Sequence, residues 1–257
     1  MTFKNPVAEK FSQAAKCYKQ HDVLQRRTAE KLLTHQILSG DIVDIGCGPG
    51  TDFTLVNPQQ NQIKQVMAVD LSLEMLAMVK QDFPDYHTLC ADAAALPLSA
   101  NQFNGLYSNL VLQWCEDLPA VLSEFYRILK PGAHCLISIV SAGSLPELSK
   151  LGLGHNDFSH FDDIVAQANK HHWQIENAEH CSESLYFTDL RTLLYSIKGV
   201  GASVKSHQQT QSKEKQGSVS LRGRQDWLAL TEKAESLRVE QGIPLTYQII
   251  YLHLIKK

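Results

Sequence analysis

An apolar tetrapeptide, Ile42-Val43-Asp44-Ile45, runs directly into glycines at three alternate positions, Gly46, Gly48 and Gly50. Glycine reaches positive φ without a steric penalty, so alternate glycines after a strand give a sharp turn with exposed backbone. A helix that follows such a turn presents N–H groups with no partner in its own ladder, a natural seat for an anion. In a parallel sheet this order of elements places a ligand beyond the carboxyl ends of the strands. The spacing is Gly-x-Gly-x-Gly and lacks the third glycine of the dinucleotide fingerprint, which counts against an NAD-dependent oxidoreductase.

The flanking pattern is that of an α/β chain. Residues 7–38 carry Val23, Leu24, Leu32, Leu33, Ile37 and Leu38 at near-helical spacing, and Gly40-Asp41 breaks the pattern. Further strands are predicted at 66–69, 86–90, 103–108, 135–140 and 247–255. Ser72 is placed to cap a helix carrying Leu73, Leu76 and Val79. Asp117 opens another, with Leu118, Val121, Leu122, Phe125, Ile128 and Leu129 on one face, and Lys130-Pro131-Gly132 is expected to stop it. Strands alternating with helices predict a doubly wound, mostly parallel sheet. After residue 188 the rhythm changes. Leu190, Leu193, Leu194 and Ile197 predict one helix, Leu228, Leu230 and Leu237 another, and 199–224 reads as a polar loop. The expected division is a helical cover (1–40), a core (41–187), a helical lid insertion (188–243) and a last core strand (244–257).

The chain's 257 residues suit one such domain with an appendage. A net charge of −3 argues against a general nucleic-acid binder. Six cysteines without a Cys-x-x-Cys pair read as reduced thiols, mostly buried, rather than zinc ligands or disulfides. No apolar run nears the roughly 20 residues that span a bilayer, and the N-terminus lacks a signal core. A soluble, cytoplasmic protein without a metal is expected.

Polar residues recur where successive strands end. Asp70 lies at the end of the second strand, where a carboxylate accepts both ribose hydroxyls of a nucleoside; an N-terminal helix charge is the plainer role. Asp92 follows the third strand, placed either to accept from an adenine amino group or to cap its own loop. Asn109 ends the fourth and is expected to face the same crevice. Together with VDIGCGPG, AVDLS-x-x-ML, AD-x-x-x-LPL, SNLVLQW and LKPGA, these positions resemble the class I S-adenosylmethionine (SAM)-dependent methyltransferases over residues 40–140. The resemblance implies a Rossmann-like sheet of seven strands. It also implies SAM contacts at Asp44, Gly46, Cys47, Gly48, Gly50, Asp70, Leu71, Met75, Asp92, Ala93, Asn109 and Leu110. Cys47 reads as a small apolar filler rather than a nucleophile.

A narrower resemblance spans nearly the whole chain. Phe11-x-x-Ala-Ala-x-x-Tyr18 with the following Gln-His and Leu-Gln-Arg-Arg, Ser108 to Cys115, Gly143 to Leu148, Ile197 to Ala202 and Pro244 to Tyr247 resemble the malonyl-acyl-carrier-protein O-methyltransferases of biotin biosynthesis. Departures occur at Ser138-Ile139-Val140, where a Thr-rich strand is usual, near Ser141-Ala142, at His160 in place of Arg, and over Lys205–Gly217. The implied reaction is methylation of the free malonyl carboxylate, with S-adenosylhomocysteine as coproduct. That carboxylate is ionised at neutral pH, so the reaction needs positioning and no acid–base residue. Tyr18, Gln113, Trp114 and Lys198 are the expected positioning residues, although core packing accounts equally well for Trp114. Tyr18 and Gln25 are expected to close over the methionine end of SAM, and Arg26 to pair with its carboxylate. Residues 191–224 hold Arg191, Lys198, Lys205, Lys213, Lys215, Arg222 and Arg224 against Glu214 alone. This is either a docking patch for an acidic acyl-carrier protein or a solvated charged loop. A methyltransferase for another small carboxylate or quinone-type ring, and a SAM-binding regulator without turnover, are the alternatives.

Overall fold

The computed structural model describes residues 6–34, 38–54, 62–202 and 223–257. Its centre is a seven-stranded sheet of β1 (Ser39–Ile45), β2 (Gln62–Asp70), β3 (His87–Cys90), β4 (Phe103–Asn109), β5 (Leu129–Val140), β6 (Trp173–Phe187) and β7 (Ile243–Lys256). The order is β3-β2-β1-β4-β5-β7-β6. The first five strands run parallel, and β7 pairs antiparallel with both β5 and β6. The doubly wound prediction therefore holds, with an antiparallel edge.

The helices are α1 (Pro6–Ala14), α2 (Val23–Thr34), α3 (Leu73–Asp82), α4 (Leu118–Ile128), α5 (Pro146–Leu151), α6 (Phe161–Lys170), α7 (Leu190–Gly199) and α8 (Arg224–Glu235). Local chemistry sets their starts. The Ser72 hydroxyl accepts from Met75 N at 3.2 Å, and Asp117 accepts from Ala120 N at 2.9 Å. In α4, Val121, Leu122, Phe125 and Ile128 bury one stripe against the sheet. Fully burying a side chain of this kind contributes about 1.5–3 kcal/mol. Val43 and Ile45 join that layer, while Ile42 packs on the opposite face with Leu24, Leu32 and Leu33 of α2. A third cluster joins α5, α7, α8 and the start of β7 through Leu148, Leu193, Leu230 and Ile243.

Several expectations need correction. The helical reading of 7–38 resolves into two helices, α1 and α2, separated by a short 3-10 turn at Tyr18–Gln20; residues 35–37 lie outside the described ones. Lys130-Pro131-Gly132 does not form the helix stop. The helix ends at Ile128, and the tripeptide lies in β5, where the register shifts between Phe103↔Leu129 and Gly105↔His134. Three elements, α5, α6 and the 15-residue β6, lack a counterpart in the sequence reading. Ile243 already belongs to β7, one residue before the expected boundary. Cys47 and Cys135 are buried, Cys17, Cys115 and Cys181 half-buried, and Cys90 is exposed. Among the described residues, no helix is long and apolar enough to cross a membrane.

Candidate functional site

The glycine turn closes on β2. Gly46 N and Cys47 N both donate to Val69 O, at 2.7 and 3.0 Å, which bends the chain across the end of its neighbouring strand. Gly46 and Gly48 take φ of +68° and +51°. A Cβ on Gly46 would sit 2.3 Å from Val111 Cγ2, whereas one on Gly48 would meet nothing nearer than Tyr18 at 4.0 Å. Gly46 is thus a packing requirement, and Gly48 keeps the crevice floor open. Gly50 is different again. A Cβ there would strike the Phe83 ring at 2.6 Å, so it serves the join to α3 rather than ligand approach.

Asp70 is oriented by this turn. Its two carboxylate oxygens accept from Gly48 N at 2.9 Å and Ser72 N at 2.8 Å. Each oxygen retains a second acceptor direction, and the residue lines a crevice of 770 Å³. Burial raises its pKa, and the backbone donors from Ser72 and Gly48 oppose that rise. Leu71, Ala93 and Leu110 line the same crevice. So does Asp92, whose Oδ1 accepts from Ala94 N at 2.9 Å in a local turn. The capping role and the ligand-facing position therefore coexist at Asp92.

Beneath the turn lies Asp44. It is buried, accepts from the Thr51 side chain, and has a second oxygen, Oδ2, without a hydrogen-bond partner. Burial, and then the nearby Asp70, raise its pKa to about 7, against the Thr51 hydrogen bond. Cys47 is buried too, and burial followed by the Asp44 and Asp70 charges holds its thiol protonated, consistent with a filler. Met75 is fully buried in the core, and neither it, Asp44, Cys47 nor Gly50 lines the crevice.

A second, smaller chamber of 350 Å³ adjoins the crevice. Tyr18, Leu110, Gln113 and Trp114 line both. The Trp114 ring meets Phe11 of α1 edge-on, with centroids 5.6 Å apart. The Gln113 amide donates to Leu110 O at 2.6 Å and accepts from Val140 N at 3.4 Å, which fixes its side chain between β4 and β5. Burial raises the Tyr18 phenol, with Asp70 and Asp22 adding to the shift. Leu110 and Leu145, at the walls of these cavities, are both left-handed, at φ +56° and +60°. Non-glycine residues in that region store backbone strain.

Gln25 and Lys198 line the smaller chamber, and the Gln25 Oε1 atom is buried without a partner. Asn109 lines the crevice, but its amide is held by three hydrogen bonds. It accepts from Thr28 Oγ1 (2.8 Å) and Ser138 Oγ (2.5 Å) and donates to Gln25 O (2.9 Å). This residue ties the helical cover to the sheet. Arg26 lies outside both cavities, with a side chain 66% exposed and ion-paired to Asp22. Its neighbour Leu24 took the inward-facing position, so the helix turns Arg26 to solvent. Phe11, Val111, His155 and Phe158 also line the cavities. Of these, Phe11 and Val111 fell within resembling segments; His155 and Phe158 sit in the loop between α5 and α6, with no periodicity to mark them.

Lys205, Lys213, Glu214, Lys215 and Arg222 of the expected basic patch, and most of the loop expected over 199–224, lie outside the described residues.

The methyltransferase-domain family matches residues 43–137, from the first strand through the fifth. Whole-chain similarity is narrower. The malonyl-[acyl-carrier protein] O-methyltransferase of Serratia marcescens is 35% identical, with 96% of this chain and 94% of that protein covered. The chain belongs to this family. The malonyl-[acyl-carrier protein] O-methyltransferase of Marinomonas sp. (strain MWYL1) is 30% identical over 98% of this chain and 94% of its own length. Among solved structures, one described as a methyltransferase from Bacillus halodurans C-125 superposes with a TM-score of 0.60 at 13% identity, covering 89% of this chain and 97% of that one. That likeness concerns the fold alone.

Proposed function

We propose that this malonyl-[acyl-carrier protein] O-methyltransferase relative methylates the free carboxylate of a malonyl thioester on acyl-carrier protein, in the cytoplasm, to prime the acyl chain of biotin. One observation carries the reading: a crevice built around Asp70 and Gly48 meets a mainly apolar chamber at Tyr18, Gln113 and Trp114.

The crevice suits SAM. Asp70 is held by two backbone donors with acceptor capacity left for ribose hydroxyls, Leu71 and Ala93 offer apolar walls for a purine, and Asp92 stands beside them. The unpartnered Gln25 Oε1 is an acceptor for a cationic or N–H group at the far end. When bound, SAM supplies a methyl group on a cationic sulfur; transfer to a carboxylate forms a C–O bond and breaks the C–S bond without moving a proton. The chain's work is positioning. Asp70 fixes the nucleoside, Tyr18 and Gln113 hold the junction of the two cavities, and Phe11 with Trp114 excludes water there. A dry site favours a reaction that neutralises two opposite charges. The insertion's helices α7 and α8 serve as the lid, with α7 lining the smaller chamber, and an apolar cluster shared with α5 lets them act as a unit.

Mass spectrometry on purified protein, SAM and malonyl-carrier protein tests the reading. Malonyl methyl ester should form, and free small acids or quinone-type rings should be methylated far more slowly. A SAM-binding regulator would bind SAM and release no S-adenosylhomocysteine. Carrier docking on Arg191, Lys205, Lys213, Lys215, Arg222 and Arg224 is the accompanying proposal. Reversing Lys213, Lys215, Arg222 and Arg224 should lower the salt-sensitive rate on carrier-linked substrate; an unchanged rate removes it.

A further inference from the structure

The two cavities sort their charges. The larger crevice is lined by Asp70, Asp92, Glu116, Asp117, Asp157 and Asp163, and by no Lys, Arg or His among the described residues. The smaller chamber is lined by Lys198, His21 and His155, and by no Asp or Glu among the described residues. The two share a wall yet have opposite polarity.

The basic side of this division is built into the fold. His21 packs against Gly199, at the end of α7. A Cβ on Gly199 would lie 2.1 Å from His21 Cδ2, so only glycine lets the ring come beside Lys198. Cys17, in the same turn as His21, points its thiol at Gly199 O at 3.8 Å. His155 is fixed at another wall. Its Nδ1–H donates to Asn156 O at 2.8 Å, Nε2 shares a hydrogen with Ser149 Oγ at 2.8 Å, and the ring lies parallel to Phe158. The remaining surface is largely apolar, including Leu24, Leu145, Leu148, Leu153, Leu194 and Ile197. Lys198 lines this surface but is itself exposed, so its charge meets a bound anion from a partly hydrated position beside an apolar wall.

We propose that Lys198, assisted by His21 and His155, selects the acceptor's carboxylate in the smaller chamber, and that the six carboxylates of the larger crevice exclude it. The inference rests on the reading of the site as a carboxyl methyltransferase and adds to it the residues that choose the acceptor. It also gives the product a way out. Methylation removes the acceptor's negative charge, so the ester no longer gains from Lys198 while the chamber's apolar lining is unchanged.

The test is binding rather than turnover. Malonyl-carrier protein and its methyl ester are titrated separately against the full chain saturated with S-adenosylhomocysteine. Lys198→Met should weaken the malonyl form about tenfold and leave the ester within about twofold. Lys198→Arg should restore the preference, and His155→Gln and His21→Gln should each reduce it with S-adenosylhomocysteine affinity retained. Equal weakening of both ligands by Lys198→Met would make Lys198 a carrier-docking residue and overturn the proposal. An unchanged malonyl-to-ester ratio in Lys198→Met and both histidine variants would overturn it too, as would an unchanged ratio in the two histidine variants where Lys198→Met misfolds. A wild-type protein that prefers malonyl but forms no ester contradicts the proposed reaction and leaves the selection standing.

Discussion

The larger crevice and the smaller chamber are neighbours of different construction. Most of the crevice is made by consecutive strand ends and their turns, in short runs of sequence: Gly46 with Gly48, Asp70 and Leu71, Ala91 to Ala94, Asn109 to Leu112, with α1 and α6 at its rim. The chamber draws on elements far apart in the sequence: α2, α5, the loop before α6, α7 and the strands β6 and β7. The first is a backbone device, set by hydrogen bonds between adjacent strands. The second is a packing device, closed only when distant helices meet. A cofactor shared by many enzymes can be served by the first kind, and acceptor choice falls to the second.

The largest expected effect breaks the crevice at its anchor. Asp70→Asn keeps the shape, but one of the two positions that accept from Gly48 N and Ser72 N becomes an NH₂ donor. SAM affinity should fall on the order of 100-fold, from the loss of charge-assisted hydrogen bonds, while carrier-protein affinity stays unchanged. Isothermal titration with each ligand separates the two. If both affinities fell together, crevice and chamber would not be independent devices.

Next comes the turn itself. Gly46→Ala combines a left-handed backbone with a collision against Val111, and denaturant unfolding should show a loss of about 2–4 kcal/mol. Gly132 has a similar φ of +79° with open space around it. Gly132→Ala should therefore lose only about 1–2 kcal/mol, the backbone term alone. Equal losses would show that Val111 yields at little cost and that the turn is less tightly specified than its contacts indicate.

A smaller effect concerns Asp44. Its pKa of about 7 in the folded chain is above the value near ~3.9 of an unfolded aspartate. Between those values the folded state keeps a proton that the unfolded state has lost, so this group makes stability fall as pH rises from about 4 to about 7. Asp44→Asn should remove that slope, raising Tm relative to wild type by a few degrees, on the order of ~5 °C, at pH above about 7. Parallel Tm profiles for the two proteins would mean that Asp44 ionises freely, and that the floor of the crevice is wetter than the unpartnered Oδ2 suggests.

The same contrast explains what could be read from the sequence. That Gly46, Gly48, Asp70, Leu71, Asp92 and Ala93 would share one crevice was legible because a strand, a tight turn and a helix cap are local patterns. Gly50 and Met75 carried the right spacing but serve packing, against Phe83 and within the core; spacing alone does not tell a ligand-facing residue from one that supports it. Arg26 was misplaced because one position on α2 decides inside or outside, and Leu24 faces in. The long strand β6 was missed for a related reason. It is an edge strand with only Trp173 and Leu185 buried, so its alternation is weak. Asn109 was placed correctly, but its tether to Thr28 and Ser138 depends on contacts 81 and 29 residues away. His155, in a loop, had no pattern to announce it.

Amide hydrogen exchange tests the division between the two cavities most directly. S-adenosylhomocysteine alone should slow exchange at Gly46–Gly48, Leu71 and Ala91–Ala94, with little change at 145–156 or 190–202. Adding malonyl-carrier protein should then protect the second set. Protection of 145–156 and 190–202 by S-adenosylhomocysteine alone, or of the glycine turn by the carrier alone, would contradict the account.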